Sequence, residues 1–193
     1  AEGIFNVATG DGSHVEGESC NTFGTLSHAE GNTTQTFGSH SHTEGIFTTS
    51  SADFSHAEGE GTVTYGVSSH AEGYYTITYG TGSHAEGAET IASGSYSHAE
   101  GNTSYAIGES SHAEGILTTA LGIGSHTNGY STIASGSYQH VSGQFNTHGD
   151  DTSLFIIGNG VADGERKDAF KVRMSGSIIL PTTASTTPSW TGV

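Results

Sequence analysis

A histidine returns at every fourteenth position from His14 to His140. The series is His14, His28, His42, His56, His70, His84, His98, His112, His126 and His140. Three residues after each histidine stands a glycine: Gly17, Gly31, Gly45, Gly59, Gly73, Gly87, Gly101, Gly115, Gly129 and Gly143. A second series falls midway, at Gly24, Gly38, Gly66, Gly80, Gly94, Gly108, Gly122 and Gly136, with Ala52 as the lone substitute. The unit reads T-x-A-x-G-x-x-S-H-A-E-G-x-x, two seven-residue halves that each end in glycine. A fixed short period is the signature of a stacked repeat, in which each unit buries its inner face against its neighbours.

Within each half, small residues alternate with larger ones, as in Ser111-His112-Ala113-Glu114. A period of two places successive side chains on opposite faces of a strand. A helix is opposed by glycine at every seventh position and by the lack of an apolar stripe of period 3.6. The glycines fit corners, where a positive φ is cheap only without a Cβ. Two five-residue strands and two two-residue corners then make one coil of a parallel β-solenoid. About eleven coils at about 4.8 Å each give a rod on the order of 50 Å long.

The inward positions are Ser, Thr and Ala almost throughout, with Cys20 in a Thr slot. So thin an interior buries little apolar area at about 25 cal/mol per Å². The expected remedy is association with further copies of the chain.

Charge narrows the partners. The four basic residues, Arg166, Lys167, Lys171 and Arg173, stand together, and residues 1–165 carry neither Lys nor Arg against a net charge of −16. Binding to nucleic acid needs cations to displace counterions from phosphate, so that class is disfavoured. Attraction to an anionic membrane is disfavoured for the same reason. No apolar run is long enough to span a bilayer as a helix. The single Cys20 has no internal disulfide partner, and no Cys/His zinc spacing occurs. The opening AEGIF enters mid-repeat, as though cut from a longer chain.

"NTSYAIGESSHAEG", Asn102 to Gly115, resembles the head repeats of YadA-like trimeric adhesins, whose units run S-V-A-I-G-x-x-S-x-A-x-G. The likeness covers residues 1–149 and implies a left-handed parallel β-roll of three chains side by side, presented as a fibre. This chain departs from it by placing His and Glu where that family has apolar residues. Arrays of the SHAEG type look more like those of phage tail fibres. The segment "SLFIIGNGVADGERKDAFKVRMSGSIIL", Ser153 to Leu180, resembles the connector that follows such repeats. It reads as two apolar strands, Phe155–Ile157 and Ala169–Val172, around a polar loop. The expected organisation is therefore a β-roll domain over 1–149, a β-stranded neck over 150–180 and a Thr/Ser/Pro linker over 181–193.

The strictest feature is the pair of His and Glu two residues apart. Glu16, Glu30, Glu44, Glu58, Glu72, Glu86, Glu100 and Glu114 accompany the first eight histidines, and Asn128 and Ser142 replace Glu in the last two units. Three readings follow. The preferred one is a ladder between subunits, in which each His meets a Glu of a neighbouring chain through a charge-assisted contact. The second is a solvated stripe that keeps the fibre soluble. The third is a row of metal sites, since His and Glu at i and i+2 share one face. A uniform ladder without closed coordination ranks this third, and no metal or cofactor is assigned from sequence.

Catalysis is not expected. In S-H-A-E-G the serine faces inward while His and Glu face outward, which separates nucleophile from base. The equivalent glutamates lack the contrasting environments of a hydrolytic carboxylate pair. Outward tyrosines, among them Tyr65, Tyr79, Tyr96 and Tyr138, suit contact with a glycan or protein receptor. The expected role is a structural and adhesive segment of an extracellular homotrimeric fibre, as on a virion tail. The alternative is the head of a bacterial surface adhesin.

Overall fold

The computed structural model describes residues 1–180. The segment 181–193, read from sequence as a linker, lies outside the described residues. The described residues are all-β apart from one 3-10 turn at Asp163–Glu165, and they wind as a parallel β-solenoid of about eleven turns.

Each coil supplies one five-residue strand and one two-residue strand, for example His98–Asn102 and Tyr105–Ala106. The five-residue strands stack in parallel as one long sheet, and the short ones form a second, ten-stranded sheet. Register is set by the period: His98 aligns with His112, Glu100 with Glu114 and Gly101 with Gly115. The second strand is shorter than its sequence pattern suggests. The amides of Ile107 and Gly108 both donate to the Ala120 carbonyl, at 2.8 and 3.1 Å, and the regular ladder ends there.

The interior follows the alternation. Ala85, Ala99, Ala113, Ala92, Ala106 and Ala120 form one continuous fully buried row cluster, and Cys20 is buried in its Thr slot. Hydroxyls divide into two kinds. Ser27, Ser69, Ser83 and Ser97 donate to the carbonyls of Gly24, Gly66, Gly80 and Gly94, at 2.6–2.7 Å. The buried hydroxyls of Thr34, Thr48, Thr62 and Thr76 have no partner, so these residues serve the interior through their methyl groups.

Glycine is required for two separate reasons. Gly101 has φ +101°, and a Cβ there would meet the Gly115 carbonyl oxygen at 2.2 Å. Gly94 has no left-handed φ, yet its Cβ would lie 2.0 Å from the Gly108 oxygen. Close approach of the next coil thus favours glycine throughout the second series, with Ala52 the one position that carries a Cβ. The corners themselves carry bulky residues in left-handed backbone: Tyr75 at φ 52°, Tyr96 at 57° and Tyr138 at 58°. Such residues are rare at positive φ. Here the ladder holds them, for the Tyr96 amide donates to Thr81 and that of Tyr75 to Glu60, both at 2.8 Å.

The parallel stack runs one strand past residue 149. Ser153–Asn159 pairs with His140–Gln144, with Phe155 opposite His140 and Gly158 opposite Gly143. One extra residue has been inserted by then, so the period is fifteen at this step. Asp168–Arg173 and Ile178–Ile179 then add antiparallel, which ends the parallel progression. The basic cluster serves this end. Arg166 donates to the Ser131 carbonyl at 2.8 Å and to Asp163 at 2.6 Å, and Lys171 lies 2.8 Å from Asp168.

Candidate functional site

The SHAEG strand points His and Glu outward because Ser and Ala occupy the inward positions. Parallel pairing at a shift of fourteen then sets like upon like. From His14 to His126 the imidazoles stack face to face, with centroids 4.7–5.0 Å apart. His140 breaks the series with an edge-on contact to His126 and stacks on Phe155 at 5.1 Å.

The glutamates stand beside this column. Each histidine from His28 to His126 has a carboxylate oxygen of its own chain 3.5–3.9 Å from Nε2. The partner changes along the rod. His28, His42 and His56 face the Glu of their own coil, whereas His84, His98, His112 and His126 face that of the preceding coil. His70 lies between the two arrangements, 3.9 Å from both Glu58 and Glu72. His14 makes no such contact at its end of the column, and neither does His140, whose coil has Ser142 in place of Glu.

These gaps exceed the 2.7–3.2 Å of a good N–H···O bond. The Nε2 atoms of all eight histidines, His28 to His126, are shielded from solvent and have no hydrogen-bond partner. The imidazole bodies are about one-third exposed. Burial and the neighbouring imidazole of His84 hold His98 below the ordinary histidine value. His56 is lowered by burial and by His42, and His112 by burial and by His98.

Carboxylates also meet one another between coils. Glu72 is raised to about 7 by sharing protons with Glu58 and Glu86. Glu100 is raised to about 7 by Glu86, burial and Glu114. Glu86, which accepts from both Glu100 and Glu72, is lowered. An open trench runs beside this column, walled by Glu58, Glu72, Glu86, Glu100 and Glu114 and floored by the glycines that follow them.

The residues named from sequence therefore align in one row, stacked face to face from His14 to His126, and each His–Glu contact seen is made within the chain. Alignment was legible from the period. The switch of partner at His70 and the carboxylate-to-carboxylate contacts were not, because they depend on rotamers that spacing leaves open.

Among the described residues no helix is long and apolar enough to cross a membrane. Compared with models of known protein families the chain matches none, and it matches no curated protein.

Proposed function

We propose that this chain is a structural and adhesive segment of an extracellular trimeric fibre of the phage tail-fibre kind, with the repeat forming a left-handed β-roll and residues 150–180 its neck. One observation carries the reading. The narrow sheet presents an outward apolar row, Phe23, Phe37, Tyr65, Tyr79, Ile107 and Leu121, that is 44–52% exposed in a single chain. Three stacked apolar pairs on one face, parted by Ser51 and Ser93, exceed scattered single residues and mark an interaction face. Three chains set side by side along this row would cover it and add the burial that a Ser/Thr/Ala interior lacks. Growth along one axis, one coil per repeat, gives reach rather than a cleft, and reach is what attachment needs. The His–Glu face would stay on the outside, with the corner tyrosines Tyr96 and Tyr138 at 66% and 71% exposure available to a glycan or protein.

Fluorescently labelled protein mixed with bacterial cells and with a glycan array tests this role. Saturable binding to bacterial surface polysaccharide, lost in Tyr96→Ala/Tyr138→Ala, is the expected result. Binding confined to animal matrix proteins would point instead to a bacterial surface adhesin. Absence of binding to any of these would leave only a passive shaft and overturn the adhesive part.

A further inference from the structure

The outward His–Glu column holds a set of ring nitrogens that no hydrogen bond within the chain uses. Eight Nε2 atoms are shielded and unpartnered, each facing a carboxylate across 3.5–3.9 Å. That gap is too wide for a hydrogen bond. It is close to the spacing of two ligands on one ion, since bonds of about 2.0–2.2 Å in tetrahedral geometry set ligands about 3.4 Å apart.

Charge points the same way. The carboxylates repeat at each coil along the trench, and residues 1–165 hold no Lys or Arg to offset them. Like charges stacked directly opposite in neighbouring strands destabilise a sheet. A cation between coils would remove that repulsion and satisfy the imidazole nitrogens together.

We propose that the column binds a row of divalent transition-metal ions, with zinc the best match, each held by imidazole nitrogen and carboxylate oxygen from successive coils. Imidazole with carboxylate and no thiolate suits zinc and its first-row neighbours rather than calcium or magnesium. Five groups of three such residues have donor atoms within 4.8 Å of one another. One of them, His42, Glu44 and His56, shares both histidines with its neighbours. Four independent sets remain: His28–Glu30–His42, His56–Glu58–His70, Glu72–His84–Glu86 and His98–Glu100–His112. Drawing each set onto an ion needs side-chain tilts of about 1 Å, given bonds of about 2.1 Å. The glycine floor of the trench leaves the carboxylates room to make them. This inference is independent of the adhesive reading and of the number of chains.

The test is titration of the purified protein, stripped with chelator, with Zn²⁺ alone near neutral pH. Calorimetry and elemental analysis of the dialysed product give the stoichiometry. About four ions per chain are expected, from the four disjoint sets, together with a rise in melting temperature. Glu58→Gln/Glu100→Gln removes a carboxylate from two sets, so the count should fall to about two. Each new glutamine amide lies between glutamates of the adjacent coils and can donate to their carboxylates, so the fold should persist. Should that double variant fail to fold, Glu72→Gln alone reads one set, with about three ions expected. Glu109→Gln, away from the trench, should leave the count at four. No saturable binding below about 1 mM, or an unchanged count in the trench variants, overturns the proposal.

Discussion

The imidazole of His98 lies 4.8 Å from that of His112 with the two planes 8° apart, and its Nε2 stands 3.5 Å from Glu86, on the preceding coil. Stacking therefore joins successive histidines, while the carboxylate contact runs backward by one coil. Two like groups so placed cannot both take up a proton without repulsion.

This geometry fixes the sign of the pH dependence in the metal-free protein. His98 is lowered by burial and by His84, against the raising effects of Glu86 and Glu114; His56, His70, His112 and His126 are lowered by burial and by their stacked neighbours. The unfolded chain then binds more protons than the folded one below about pH 6.5, so stability falls as pH drops through that value. Glu72 and Glu100, raised to about 7, have the opposite sign: the folded state holds their protons from about 7 down to the ordinary carboxylate range, and stability is gained there on acidification. The lowered histidines act together with Glu86 and Glu114, which are lowered as well, so the melting temperature in chelator should rise from pH 5 to about pH 7 and level off above it. Glu72→Gln/Glu100→Gln removes the gain on acidification, so the decline from pH 7 to pH 5 should steepen in that variant. A melting temperature that climbs steadily from pH 7 to 5 would instead indicate a cationic salt-bridge ladder.

The glycine series separate two mechanisms. At Gly101 a Cβ meets the next coil's backbone at 2.2 Å with φ +101°, whereas Gly124 has φ +59° and its Cβ would meet only the Tyr138 ring at 3.0 Å. Equivalent corner positions elsewhere hold Leu26, Phe54 and Ser110. Gly101→Ala should cost about 3 kcal/mol or more, while Gly124→Ser should cost less than about 1 kcal/mol. Chemical denaturation of both variants provides the comparison.

Much of this was legible in the letters, and the limits have a physical cause. A period of fourteen with alternating small residues dictates which side chains align and which face inward, and Ala99, Ala113 and Ser97 lie buried as that alternation requires. It places glycine beside each corner, yet the corner backbone itself is held by ladder amides such as that of Tyr96, so a bulky residue can sit there. Nor does spacing show that Arg166, far along the chain, reaches the Ser131 carbonyl and lies 5.6 Å from the Phe145 ring centroid. Such long-range contacts break the period and leave no trace in it.

The interior makes an uncommon prediction about hydroxyls. Thr62 is fully buried with an unpartnered Oγ1, while the Ser97 Oγ donates to Gly94 at 2.7 Å. Replacing an unsatisfied hydroxyl by an isosteric methyl is neutral or favourable, whereas deleting a satisfied one costs about 1 kcal/mol. Thr62→Val should leave stability unchanged or raised, and Ser97→Ala should lower it. Melting curves should therefore show a lowered midpoint for Ser97→Ala and no lowering for Thr62→Val.

The association of copies is the point on which the wider account stands, because Phe23, Phe37, Tyr65 and Tyr79 are left about half exposed by one chain. Sedimentation equilibrium at micromolar concentration measures it directly. A particle of three times the 19.7 kDa chain mass is expected, reduced toward one chain by Tyr65→Lys/Tyr79→Lys. A folded, stable particle of 19.7 kDa at that concentration would contradict it.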